Sequence, residues 1–189
     1  MSRTEAIVVR LAELHDREAL CRLYHQFHEF HVSRVPDRLQ SLGKPPETYE
    51  GSELYLALEK IIVGDNSALF LAQVADQPIG MAEVYLRQDD PNPCRVSYRH
   101  GYLQSLMVDE AFRQHGVGRR LIEATHTWAK ARGATEMRLE TWEFAQGPLE
   151  FYRRMGYRTL RRTLVRGLES QPPLSECAAP ERDTRSISP

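Results

Sequence analysis

Tyr102-Leu103-Gln104-Ser105-Leu106-Met107-Val108, then Asp109-Glu110-Ala111-Phe112, then Arg113-Gln114-His115-Gly116-Val117-Gly118 is the stretch whose reading decides the fold. The first seven residues alternate as a strand does, the next four form a polar turn, and the glycines open a helix. Beyond them Val117, Leu121, Ile122, Thr125, Trp128 and Ala129 recur at helical spacing, and Gly133 is placed to end the run. The first amides of such a helix have no internal acceptor and lie at the positive end of its dipole, so phosphate oxygens can approach them through a glycine turn. Arg113, Arg119 and Arg120 add positive charge. Gly116 and Gly118 keep the approach open or permit backbone angles that a side chain would forbid. No Gly-Lys-Ser or Gly-Lys-Thr follows, which excludes a nucleoside-triphosphate loop, and Arg113 stands where the dinucleotide fingerprint needs a glycine. An ordinary strand-to-helix connection with surface arginines is the reading that these residues alone leave open.

Outward from this stretch the chain alternates helix and strand. Ile7 to Leu11 reads as a first strand. Asp16 can cap a helix whose Ala19, Leu20, Leu23, Tyr24, Phe27 and Phe30 make an apolar face. His25, His28 and His31 lie three apart beside that face, without the clustered carboxylates or cysteines that would support a metal site. Ser33 to Gly51 is a polar connection broken by Pro36, Pro45 and Pro46, and a second helix is expected from near Ser52 to Val63. Ala68 to Ala75 and Ile79 to Leu86 read as a hairpin around Asp76-Gln77-Pro78, with a turn-rich segment at Asp89 to Pro93.

With 189 residues the chain can bury one adequate core without disulfides or metal. The formal charge of −1 lacks the basic surplus of a dedicated nucleic-acid binder. Cys21, Cys94 and Cys177 are scattered and without metal-ligand spacing, and no apolar run is of signal-core or membrane length. A cytoplasmic protein with neither nucleic acid nor membrane as partner is expected. Residues 169–189, rich in Ser, Pro and charge, are expected to be a disordered tail, leaving 1–168 as a single domain.

A second stretch turns these readings toward a family. Leu139-Glu140-Thr141-Trp142-Glu143-Phe144-Ala145-Gln146-Gly147-Pro148-Leu149-Glu150-Phe151-Tyr152-Arg153-Arg154-Met155-Gly156-Tyr157 resembles the fifth strand, fourth helix and start of the sixth strand of the GCN5-related N-acetyltransferases. The segment Arg113 to Gly118 is similar to their pyrophosphate signature at every fixed position: Arg or Gln, two free positions, Gly, one free position, Gly or Ala. The resemblance spans roughly Ile7 to Leu168. It implies an α/β chain with a mixed, mostly antiparallel central sheet flanked by helices. The early helices and the Asp89 to Pro93 loop would then wall the acceptor pocket.

The resemblance further implies acetyl-CoA as acyl donor, an amine as acceptor, and a fold whose relatives commonly form homodimers. Carrier contacts fall on Leu106, Met107, Val108, Arg113, Gln114, His115, Gly116, Val117, Gly118 and Arg119. In relatives the strands part near Leu106 to Val108 of the fourth strand to admit the pantetheine arm, and a main-chain donor there would polarise the thioester carbonyl. Tyr152 is the implied proton donor to sulfur, sharing a helix face with Leu149 and Met155. The residues alone equally allow a phenol used for packing. Gln104 and Ser105 stand where some relatives place a carboxylate and cannot serve as one, so Glu83, or a water it holds, is the candidate base. A solvated or strand-edge Glu83 stays open. His100 and His115, read as loop residues, are further proton-transfer candidates. Ala145 replaces an asparagine common in relatives, whose amide holds the pantetheine arm; Gln146 or a water would have to supply that contact. A non-catalytic acyl-CoA sensor or interaction module is the alternative function.

Overall fold

Side chains that alternate between two buried faces force a sheet covered by helices on both sides, and the computed structural model has that form over the residues it describes, 6–145 and 147–168. The order is β1 (Val8–Leu11), α1 (Arg17–Val32), α2 (Glu53–Val63), β2 (Ser67–Val74), β3 (Gln77–Gln88), β4 (Arg99–Val108), α3 (Val117–Ala131), β5 (Glu136–Leu139) and α4 (Leu149–Arg154). The strands lie in the order β1-β2-β3-β4-β5. Every neighbouring pair is antiparallel except β4 with β5, which is parallel and joined by the crossover helix α3. The mixed, mostly antiparallel sheet expected from the sequence is therefore present.

On one face Leu20 and Leu23 of α1 and Leu58 of α2 meet Leu69, Leu71, Met81 and Met107. The other face is covered by α3, whose buried residues are the six read from the helical period, Val117, Leu121, Ile122, Thr125, Trp128 and Ala129. Leu121 and Ile122 are fully buried, each contributing roughly 1.5–3 kcal/mol. Close packing here depends on small strand residues: a Cβ on Gly101 would fall 2.8 Å from that of Ala129. Gly133, at φ +82°, ends α3 in the left-handed conformation. Ser52 caps α2, its side chain accepting from the Tyr55 amide at 3.2 Å.

Several boundaries differ from the sequence reading, each for a local reason. The β2–β3 turn is Ala75-Asp76, both at positive φ, rather than Asp76-Gln77-Pro78. Such a two-residue turn matches the twist of the strands, and Pro78 is carried inside β3 beside a bulge where its missing amide is tolerated. Asp16 precedes α1, but its carboxylate does not cap it. It turns back to accept two hydrogen bonds from Arg10, at 2.7 and 2.8 Å, and one from the Glu13 amide at 2.7 Å. β5 ends at Leu139 instead of beginning there, because its pairing with β4 lies upstream. Residues 157–168 carry no helix or strand, so the expected start of a sixth strand at Tyr157 is not formed. The expected tail, 169–189, lies outside the described residues.

Candidate functional site

The glycine turn closes by two left-handed residues, Gln114 at φ +66° and Gly116 at φ +81°. Gly116 is the N-cap of α3, no side chain caps that end, and its carbonyl accepts from the Arg120 amide at 3.1 Å. The two glycines serve different ends. A Cβ on Gly116 would meet nothing within 4 Å, so its requirement is the backbone angle, whereas a Cβ on Gly118 would lie 3.3 Å from Cζ of Phe151 and 3.7 Å from Cγ2 of Val108. Around them the arginines are already engaged. Arg113 donates from Nε to the Val108 carbonyl at 3.1 Å and lies over the Phe30 ring. Arg119 pairs with Glu123 at 2.8 Å, and Arg120 donates to the Ile7 carbonyl at 2.9 Å. His115 turns its Nδ1 to the Arg113 carbonyl at 2.7 Å.

Next to this turn the sheet opens. β5 pairs with β4 only from His100↔Glu136 to Leu103↔Leu139. From Gln104 to Val108 that side of β4 has no strand partner among the described residues, while its other side stays paired with β3. A bulge marks the departure: Glu83 faces Ser105 but Val84 faces Leu103, leaving Gln104 as the extra, exposed residue. Met107 is buried toward α1, whereas Leu106 and Val108 are half-buried. An unpaired strand edge presents main-chain donors and acceptors to any extended, amide-bearing chain.

Helix α4 carries Tyr152, 9% exposed, beside Phe151. Burial pushes the Tyr152 phenol up to about 12, so it holds its proton at neutral pH. Through Phe151 against Gly118, the helix bearing Tyr152 is packed on the start of α3.

Glu83 is neither solvated nor at a strand edge. It is 4% exposed and receives three hydroxyl donors: Tyr24 to Oε2 at 2.6 Å, Ser105 to Oε2 at 3.0 Å and Tyr85 to Oε1 at 2.5 Å. Burial, followed by the adjacent carboxylate, raises Tyr24 well above its ordinary value; burial and the hydrogen bond to Glu83 raise Tyr85 likewise. Sequence reasoning placed Tyr24 only on an apolar face; a hydroxyl on an inward-facing helix position, which must find a partner when buried, was the available signal. Tyr85 also lines an open recess of about 570 Å³ together with Glu53, Leu56, Lys60, Ile61 and Ser67.

The remaining candidates fall elsewhere. His100 belongs to β4, buried and 3.7 Å from Asp89, not to a loop. His25 and His28 fasten the connection between α1 and α2, through ring nitrogens at 3.0 Å from the Gly43 carbonyl and 2.7 Å from that of Gln40. Among the described residues no three His, Cys, Asp or Glu side chains are arranged to hold a metal. Ala145 is exposed, and Gln146 lies outside the described residues.

The chain is similar to known proteins in sequence and in fold. A family model described as the Acetyltransferase (GNAT) family matches residues 17–157. An aminoglycoside N(6′)-acetyltransferase type 1 of Salmonella typhimurium strain LT2 is 35% identical over 83 residues, 44% of this chain and 57% of that protein. Its namesake in Stenotrophomonas maltophilia is 35% identical over 81 residues, 42% and 52% of the two chains. The chain thus spans little more than half the length of these curated relatives. Among solved structures, a tetramutant of the BH1408 protein from Bacillus halodurans superposes with a TM-score of 0.75 at 23% identity, over 85% of this chain and 99% of that one. The aminoglycoside N-acetyltransferase AAC(6′)-Iy in complex with CoA gives 0.61 at 23% identity, over 90% and 99%. At these identities the structural likeness is one of fold.

Proposed function

Because the chain belongs to the GNAT acetyltransferase family, we propose that it transfers an acetyl group from acetyl-CoA to a primary amine by direct attack. The observation that carries this reading is the Gln104–Val108 edge of β4, without a strand partner among the described residues, which runs into the glycine turn on whose helix, α3, the helix that bears Tyr152 is packed. The edge suits the amides of a pantetheine arm, and the first-turn amides of α3, from Val117 to Arg119, suit the pyrophosphate. Gln114 and Gly116 give the turn its shape, and His115 and Arg113 brace it.

In the reaction the amine nitrogen attacks the thioester carbonyl carbon, with a main-chain amide near Leu106 to Val108 stabilising the developing oxyanion. The carbon–sulfur bond then breaks, and Tyr152 donates toward the departing sulfur. A phenol pushed up to about 12 by burial holds its proton more tightly than an ordinary thiol, so full proton transfer in the free protein is uphill. Tyr152 therefore works first as a hydrogen-bond donor to the growing thiolate and completes the transfer as the product forms. The amine's proton leaves to Glu83 or to a water that Glu83 holds.

For the acceptor, the relatives named for aminoglycoside N(6′)-acetylation make a 6′-amino aminoglycoside the first compound to try. Ala145 and the lack of a carboxylate at Gln104 or Ser105 favour a second reading, a non-catalytic acyl-CoA sensor. An amine-library screen that follows free thiol and product mass separates the two. A specific acetylated product supports the enzyme. Tight acetyl-CoA binding with only background turnover overturns it in favour of the sensor.

A further inference from the structure

Four side chains from three elements converge at the bulge of β4. Tyr24 comes from α1, Glu83 and Tyr85 from β3, and Ser105 from the part of β4 that β5 has left. An isolated buried carboxylate costs several kcal/mol, and an apolar side chain of similar volume would serve stability at least as well. The cluster therefore calls for a reason other than packing. A carboxylate offers about four acceptor positions. Tyr24 and Ser105 occupy both on Oε2, and Tyr85 takes one of the two on Oε1. Tyr85, the donor to Oε1, also lines the open recess.

We infer that Tyr24, Tyr85 and Ser105 are positioning residues that hold Glu83 in one rotamer, with a single acceptor position on Oε1 left for the amine or for a water serving it. The inference rests on the proposed transfer reaction and assigns the three hydroxyls a task within it. Two of them meet on Oε2 from different elements, Ser105 from the neighbouring strand across the β3–β4 ladder and Tyr24 from the covering helix. Rotation of the carboxylate breaks at least two of the three bonds at once. Tyr24 also makes the alignment of Glu83 depend on where α1 sits.

The test uses the full chain and Tyr24→Phe, Tyr85→Phe, their combination, Ser105→Ala, Ser105→Thr and Glu83→Gln. The kinetic probe is the best acceptor from the amine screen. Each tyrosine variant is expected to lose about ten-fold in kcat, the worth of one net hydrogen bond, with unchanged Kd for acetyl-CoA. Ser105→Thr should restore what Ser105→Ala loses. In the Glu83→Gln background the tyrosine substitutions should cost less than about two-fold, because groups acting through one carboxylate are not additive. A crystal structure of the double tyrosine variant should find Glu83 in a different rotamer. Full additivity with Glu83→Gln, wild-type turnover in Glu83→Gln, or an unmoved Glu83 in the double variant would each overturn the inference. Absence of turnover with every amine would overturn the transfer reaction instead, and the crystal structure would then decide by itself whether the hydroxyls hold the carboxylate.

Discussion

Phe151 of α4 lies against Gly118 of α3, so close that a Cβ at position 118 would stand 3.3 Å from its Cζ. The turn that would receive a pyrophosphate and the helix that carries Tyr152 are thus a single packed unit. Gly116→Asp and Gly118→Asp should each weaken acetyl-CoA binding by ten-fold or more, about 1.4 kcal/mol, since a carboxylate there repels the phosphates. Gly116→Ala should instead cost about 1 kcal/mol of stability from its left-handed backbone, with little loss of affinity, because its Cβ meets nothing. Calorimetry and thermal melts read the two effects separately. Unchanged affinity in both aspartate variants removes the carrier from this turn.

Tyr152→Phe keeps the ring and removes the donor to sulfur. Single-turnover rates at saturating acetyl-CoA should fall by about 10- to 1000-fold, while carrier affinity and melting temperature change little. Wild-type rates with several active acceptors would return Tyr152 to the packing role that its burial also allows.

No acetyl-enzyme should accumulate. Cys21 is fully buried, and burial pushes its thiol up to about 11, which leaves almost no thiolate at neutral pH. Cys94 is exposed, in the connection between β3 and β4, and Cys177 lies outside the described residues. Intact-mass measurement after incubation with acetyl-CoA alone should therefore find the unmodified chain. A stoichiometric adduct that an amine discharges would establish a two-step mechanism.

Asp89 gives the fold an acid-sensitive joint. Two hydrogen bonds from Arg138, at 2.6 and 2.8 Å, hold its carboxyl down to about 2 against an ordinary 3.8. Between these values the unfolded chain binds the proton more readily, so the contribution is complete above about pH 5 and is lost as pH falls toward 2. The melting-temperature advantage of the wild type over Asp89→Asn should be present near pH 6 and shrink through that window. An advantage independent of pH would assign the stabilisation to packing.

What the sequence makes legible is periodic or local. All six buried positions of α3 follow from their spacing, and Gly133 and Ser52 mark helix ends by chemistry confined to a few residues. The site is harder, because its contacts are distant along the chain. Tyr24 and Glu83 are 59 residues apart, and Ser105 meets Glu83 only through the pairing of β3 with β4, whose register depends on two strands together. Asp16 misleads for a related reason: a capping residue by type, it has a stronger partner in Arg10, on a different element. Tyr157 marks the opposite failure, a resemblance to a sixth strand where the described chain forms none.

The small turn at Ala75-Asp76 reaches further than its location suggests. Side chains along β3 alternate between the α1 side and the α3 side, so sliding that strand by one residue would present Glu83 to the wrong layer. Two residues at positive φ and a proline seated at the adjoining bulge leave the hairpin one workable alignment. The turn is in effect a ruler: a residue added or deleted there should silence Glu83 from a distance, without touching any group in its surroundings.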